Sequence, residues 1–326
     1  MRVLVTGGAG FVGGHLVRAL LRTSSQIRVT GLDVRRPSDP DGLDPRRYRF
    51  VRVDVADRKA IDALFVQGFD AVVHCAALTP GAGGQWEGPA LVRTNVVGTQ
   101  VLLEAALRSG VRRFVQVSTD EVYGPAPPGV GFSEESPPNP QGPYAASRAA
   151  ADLLCLGYRR MYGLPAVVVR IPSVYGPAQP IERFVPLAIT RALRGTAIPI
   201  YGDGRQERDW LYVEDLVEAL LRVLFHPDPR PVLNVATGKT ASYLAVARTV
   251  LRIVGRPTSL LEFVTDRSVE CRRSALDPSR ARAYLGWRPA VDLEEGLERT
   301  VAWYGAHRAW WEVCTGGERR IRAARG

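Results

Sequence analysis

Val3-Leu4-Val5-Thr6-Gly7-Gly8-Ala9-Gly10-Phe11-Val12-Gly13 decides the fold: a short apolar run ends in glycines and passes directly into an amphipathic, helix-periodic stretch. In a strand that turns into a helix this way, Gly7 permits a tight turn and Gly10 lets a pyrophosphate approach the backbone N–H groups of the helix start, opened by Phe11 and Val12. Gly13 lets helix and strand pack closely. Twenty residues beyond Gly13, Asp33 closes a second apolar run, Val29-Thr30-Gly31-Leu32. A carboxylate there accepts hydrogen bonds from ribose hydroxyls and repels a 2′-phosphate, so the expected dinucleotide is NAD rather than NADP. The neighbouring Arg35 and Arg36 read as solvated loop charges. Asp54-Val55, at the end of a third run, offers an acceptor and an apolar neighbour for an adenine ring, although Asp there also reads as a plain cap.

Outward from that stretch, β-branched runs alternate with longer amphipathic ones, the pattern of βαβ units feeding a parallel sheet. Strands are expected at about 2–6, 27–33, 49–54, 70–75, 112–117 and 165–171, and helices at about 11–22, 57–66, 90–109 and 143–162. Runs such as Ala71-Val72-Val73-His74-Cys75 are apolar throughout, as when helices cover both faces. The fold class is therefore α/β, a doubly wound parallel sheet of the Rossmann type over 1–172. About 208–235 are expected to return to it, and 173–326, richer in Pro and Gly, form a smaller mixed α/β lobe.

Composition narrows the partners. Hydrophobic residues are 46% and charged residues 23%, which excludes a disordered chain. The net charge is +10, and with Lys59 and Lys239 the only lysines the excess is almost all arginine. It is evenly spread, 20 cations against 15 anions over 1–170 and 23 against 18 over 171–326, so it reads as background and no nucleic-acid partner is expected. Only the tail from Glu318 to Arg325 concentrates it. Cys75, Cys155, Cys271 and Cys314 show no CxxC or metal spacing, so reduced thiols, no metal and a cytoplasmic location are expected. No apolar run approaches the ~18 residues of a membrane span, so no membrane partner is expected either.

Two motifs close on the carboxyl ends of strands, where doubly wound sheets bind ligands. Ser118-Thr119-Asp120-Glu121-Val122-Tyr123-Gly124 follows one strand, and Pro143-Tyr144-Ala145-Ala146-Ser147-Arg148 opens a helix with Tyr144 and Arg148 on one face. With the opening glycines, these resemble the extended short-chain dehydrogenase/reductases over about 1–305, and specifically their NAD-dependent NDP-sugar epimerase/dehydratase branch. The triplet Thr119-Asp120-Glu121, the segment from Pro199 to Asp215 and Leu285-Gly286-Trp287 look like the dTDP-glucose 4,6-dehydratases within it.

That resemblance implies an NDP-hexose 4,6-dehydratase: oxidation at carbon 4, elimination of water across carbons 5 and 6, and hydride return. Tyr144, as phenolate, would take the 4-hydroxyl proton, with Arg148 as the fixed cation that, together with the cofactor's own positive charge, lowers its pKa, and with Thr119 and Ser118 bonded to the same hydroxyl. Glu121 would take the carbon-5 proton while protonated Asp120 donates to the departing 6-hydroxyl. The cofactor would be NAD, lined by Gly7, Gly10, Phe11, Val12, Gly13, Asp33, Asp54, Val55, Ala76, Ala77, Asn95, Ser118, Tyr144 and Arg148. The NDP-sugar would meet Thr119, Ser173, Arg208, Arg267 and Arg272, whose guanidinium forks suit a diphosphate. A homodimer through the helices near 90–109 and 143–162 is also implied. A UDP-glucuronate decarboxylase or NDP-sugar 4-epimerase shares the same parts, and a non-catalytic dinucleotide-binding protein is the alternative of another class.

The chain departs from the family pattern at several positions. Arg148 stands where lysine is usual, and a planar, longer fork is not equivalent there. Ser173 stands for Asn, Glu270 and Cys271 for His and Asp, and Ala76 to Gly84 lacks the Ser-His type residues that line the hexose site.

Overall fold

The computed structural model describes residues 1–37, 42–79, 88–228, 230–265 and 272–312. Arg267, Glu270, Cys271, the end of the 76–84 segment and the basic tail lie outside them. In the first half, β1 (Arg2–Thr6), α1 (Phe11–Thr23), β2 (Arg28–Asp33), β3 (Tyr48–Arg52), α2 (Arg58–Phe65), β4 (Ala71–His74), α3 (Gly88–Leu91), α4 (Gly98–Arg108), β5 (Arg113–Thr119), α5 (Pro143–Tyr162) and β6 (Ala166–Ile171) follow in order. After them come β7 (Ser173–Tyr175), α6 (Phe184–Arg194), β8 (Ile198–Tyr201), β9 (Glu207–Tyr212), α7 (Val213–Phe225) and β10 (Val232–Asn234). The remainder supplies β11 (Thr240–Ser242), α8 (Tyr243–Val254), β12 (Leu261–Val264), β13 (Arg273–Ser274), α9 (Ser279–Leu285) and α10 (Leu293–Ala306).

Seven strands form one sheet in the order β10-β6-β5-β4-β1-β2-β3, every pair parallel. Alternation along β1 explains why helices must cover both faces. Val3 and Val5 pack on one side with Leu16 and Leu20 of α1 and Leu216 and Leu220 of α7. Leu4 packs on the other with Ile61 of α2, Leu102 of α4 and Cys155 of α5. The strand order reverses between β1 and β4, so the crevice above Thr6 and His74 is where such a sheet takes a ligand.

Three details differ from the sequence-based expectations. The third strand, expected through 54, stops at Arg52, and Asp54 instead caps a turn by accepting from the Ala56 N–H at 2.9 Å. The helix expected over 90–109 is interrupted by a π-helical segment, Val92–Val97, before α4 begins at Gly98. A Cβ on Gly98 would lie 2.6 Å from Val55 Cγ2, so that junction needs glycine. The two lobes also interleave in sequence beyond the return expected for about 208–235. α7 and β10 join the first core, as do Ala281 and Leu285 of α9 and Trp287, whereas β9 pairs with β7, β11 and β13 in the second lobe. That lobe has its own core, including Ile189, Val246, Leu297, Tyr304 and Trp311. No helix among the described residues is long and apolar enough to cross a membrane.

Candidate active site

The glycine turn is built as tightly as its sequence requires. Gly7 has φ +68°, and a Cβ there would lie 2.8 Å from the Ala76 N atom. A Cβ on Gly13 would lie 2.1 Å from the Gly7 carbonyl oxygen, and one on Gly10 3.1 Å from it. No side chain caps the start of α1, so the first-turn N–H groups, Phe11 and Val12 among them, point out of the turn as an anion site. Asp33 lies over this turn: one carboxylate oxygen accepts from the Ala9 N–H at 3.2 Å and the other from the Arg35 N–H at 3.1 Å. Ala76 and Ala77 follow β4 on the far side of the crevice, where the Ala76 N–H donates to Thr6 Oγ1 at 3.2 Å. Asp54 has its second oxygen on Arg93 at 2.5 Å, and Val55 is buried against Gly98.

At the end of β5 the backbone turns into a single 3-10 turn, Asp120–Tyr123, capped by Thr119 Oγ1, which accepts from the Glu121 N–H at 3.3 Å. The Thr119 hydroxyl donates to Asp120 Oδ1 at 3.1 Å, and the Ser274 hydroxyl donates to Asp120 Oδ2. Asp120 is buried, and its desolvation raises the carboxyl above the usual range, with Ser274, Arg208 and Thr119 opposing. Glu121 is exposed on the same turn. The site thus pairs one buried carboxyl biased toward its protonated form with one that is exposed.

Tyr144 begins α5, and Arg148 lies one turn further on, buried. Arg148 donates through Nη2 to the Val117 carbonyl, while its Nε and Nη1 are buried without a partner among the described residues. Two orphaned cationic N–H groups inside the crevice suit a ligand that brings hydroxyl or anionic oxygens. In the chain alone, burial pushes the Tyr144 phenol up to about 12; Arg148 and Arg183 pull it down, and Glu121 and Asp120 push it up. Arg148 by itself therefore does not bring the phenol to neutrality; the resemblance asks that of the fixed cation together with the cofactor's own positive charge.

Other expected residues are placed differently. Ser118 and Thr119 are successive on a strand, so they face opposite sides of the sheet; Ser118 is buried and its hydroxyl favours the Asp152 carboxylate of α5. Asn95, in the π-helical segment, is fully buried and bonded to Leu78 and Ser147, so it holds the loop after β4. Ser173 sits on β7 opposite Trp210. Arg208 acts on Asp120 and lies over the Tyr243 ring at 5.5 Å. Arg272 is exposed, with its carbonyl accepting from the Glu207 N–H at 2.8 Å.

Two residues enter the site that sequence motifs do not mark. Ser274 comes from β13, 154 residues from Asp120, with no local pattern to single it out. Arg183, which precedes α6, reaches Thr79 Oγ1 at 2.6 Å and lowers the Tyr144 phenol; its only signal is an arginine just before an apolar helix.

Comparison with known proteins points to one family. A profile of the NAD dependent epimerase/dehydratase family matches residues 3–236. A dTDP-glucose 4,6-dehydratase of Streptomyces niveus is 43% identical over 321 residues, covering 96% of this chain and 95% of that protein. The low-salt glycan biosynthesis protein Agl12 of Haloferax volcanii is 41% identical, covering 93% and 98%. Among solved structures, the dTDP-glucose 4,6-dehydratase DesIV of Streptomyces venezuelae, with NAD bound, superposes with a TM-score of 0.90 at 38% identity, covering 96% and 99%. A UDP-glucose 4-epimerase of Thermotoga maritima with UDP-glucose gives 0.87 at 32%, covering 94% and 99%.

Proposed function

The chain belongs to the NAD dependent epimerase/dehydratase family, and on that premise we propose that it is an NAD-dependent NDP-hexose 4,6-dehydratase. The observation that carries the choice within the family is the unequal carboxyl pair Asp120 and Glu121 beside Tyr144. A 4-epimerase or a decarboxylase needs the tyrosine but has no use for a second acid and base.

NAD fits the residues present, on the glycine turn that a Cβ would fill and on the Arg148 N–H groups that have no partner among the described residues. The first turn of α1 would hold its pyrophosphate, Asp33 a ribose and Arg148 the second ribose. When bound, it supplies the redox equivalents exchanged with the hexose and a further positive charge to the site.

Thr119 holds the 4-hydroxyl and Tyr144 Oη takes its proton, aided by the positive charges of Arg148 and Arg183. With carbon 4 oxidised, the carbon-5 hydrogen becomes acidic and the Glu121 carboxylate removes it. The Asp120 carboxyl, which burial biases toward its protonated form, donates to the leaving 6-hydroxyl, so water departs as the electron pair shifts toward it. Arg208 and Arg272 are assigned to the nucleotide diphosphate, with Ser173 lining the same side. The same reading makes the protein a cytoplasmic homodimer. Leu153, Met161 and Tyr162 of α5 and Val92 and Val97 of the π-helical segment are exposed, which supports pairing through these helices.

The test is incubation with dTDP-glucose, UDP-glucose and UDP-glucuronate, with products weighed by mass spectrometry. A product lighter by one water, lost in Asp120→Asn and Glu121→Gln, supports the dehydratase. Loss of carbon dioxide, an epimer of unchanged mass, or no reaction with any of them refutes it.

A further inference from the structure

Beneath the crevice runs a buried chain of hydrogen bonds whose direction the partners fix. Thr99 Oγ1 donates to the Asn95 carbonyl at 2.7 Å, because a carbonyl only accepts. Its single proton is thereby committed, so at 3.0 Å Thr99 Oγ1 accepts from His74 Nε2. With the ring proton on Nε2, the neutral imidazole leaves Nδ1 an acceptor, so Thr6 Oγ1, which also accepts from the Ala76 N–H, donates to His74 Nδ1 at 2.6 Å. Full burial and the charge of Arg148 hold the imidazole neutral, down to about 3. From Asn95 the chain continues through the side chain. Oδ1 accepts from the Leu78 N–H at 2.8 Å, and Nδ2 donates to the Leu78 carbonyl at 3.0 Å and to Ser147 Oγ at 2.9 Å. The Ser147 hydroxyl donates to the Tyr144 carbonyl at 2.7 Å.

We propose that His74, as a neutral imidazole protonated on Nε2, is a positioning residue that ties the backbone after β4 to the turn of α5 carrying Tyr144, acting through Thr99, Asn95 and Ser147. The chain touches both walls of the crevice: Ala76 and Leu78 on the cofactor side, Tyr144 on the other. Every donated proton in it has one acceptor. A break at either end therefore leaves a buried polar group unsatisfied and frees the two walls to shift relative to one another. The proposal rests on Tyr144 being the catalytic base.

The test has a spectroscopic arm and a kinetic arm, both on the full chain. With 15N-histidine labelling, the ring that vanishes in His74→Gln should show a protonated Nε2 and an unprotonated Nδ1, unchanged between about pH 5 and 8. A ring protonated on Nδ1, or one that titrates in that window, overturns the proposal. For NAD itself, His74→Leu should weaken binding about tenfold. Ser147→Ala should lower kcat about tenfold with KM for the sugar within about twofold, and the double variant should be no worse than the poorer single one. Losses that multiply, or a change in KM alone, overturn it. If His74→Leu does not fold, Thr99→Val with Ser147→Ala completes the same cycle. Should the wild-type chain turn over no nucleotide sugar, the reading of its function fails, while NAD affinity and the ring tautomer still decide this one.

Discussion

The Ser274 hydroxyl donates a hydrogen bond to Asp120 Oδ2, linking the second lobe to the end of β5 across 154 residues of chain. Asp120 thereby reports on how the lobes meet. It is buried, its carboxyl is raised by that burial, and Ser274 is the first of the groups that oppose the rise.

Removing that donor should move the pH dependence in one direction. In Ser274→Ala the Asp120 carboxyl rises further, and an acid works while it is protonated. The alkaline limb of kcat assigned to it should therefore move to higher pH. A pH profile of kcat with dTDP-glucose checks the shift, and a downward move would exclude Asp120 as the proton donor.

Arg148 acts in the opposite sense on Tyr144. Its charge lowers the phenol, and a base works while deprotonated, so Arg148→Met should move the acid limb of kcat/KM to higher pH. Activity at neutral pH should fall by about a hundredfold or more. Arg148→Lys keeps the charge but loses the planar donor to the Val117 carbonyl; its limb should stay within about one unit of wild type.

Adjacent glycines of α1 should respond with opposite signs. A Cβ on Gly13 would stand 2.1 Å from the Gly7 carbonyl oxygen, whereas on Gly14 the nearest atom is the end of Arg18 at 3.7 Å. Gly13→Ala should destabilise by ~3 kcal/mol and weaken NAD binding. Gly14→Ala should stabilise by roughly 0.5–1 kcal/mol, since alanine is the better helix former. Denaturant titration and NAD calorimetry on both variants test the contrast.

Asp209 should make stability depend on pH. Its carboxylate is buried and accepts from the Thr237 N–H and hydroxyl and the Gly238 N–H, yet burial raises it from 3.8 to about 6. The folded value exceeds the unfolded one, so its contribution is full below about 4 and lost as pH rises through about 6. The fall in Tm across that window should be shallower in Asp209→Asn than in wild type. Parallel curves would show that Asp209 titrates as an ordinary carboxylate.

Local patterns in the chain encode much of the first lobe. The run from Val3 to Gly13 specifies strand, turn and helix because Gly7 takes a positive φ and Gly10 and Gly13 answer the Gly7 carbonyl a few residues away, while the pressure on Gly7 itself comes from Ala76, across the sheet. Spacing alone points to Asp33, which does lie over the turn. The third strand reads two residues too long because Val53-Asp54-Val55 continues the apolar alternation past the point where pairing stops. Ser118 and Thr119 read as partners on one hydroxyl because they are neighbours in sequence, and the strand pleat turns such neighbours to opposite faces.

The sequence by itself determined the parallel sheet, the dinucleotide turn and the positions of Tyr144, Asp120 and Glu121. Those depend on periodicity and on backbone conformations that a short window encodes. Only the tertiary structure decided which groups tune them. Ser274 and Arg208 reach Asp120, Arg183 reaches Tyr144, and His74 sits under the crevice because sheet register and lobe packing bring together residues far apart in the chain. Electrostatic effects fall off with distance through space, and no spacing in the sequence measures that distance.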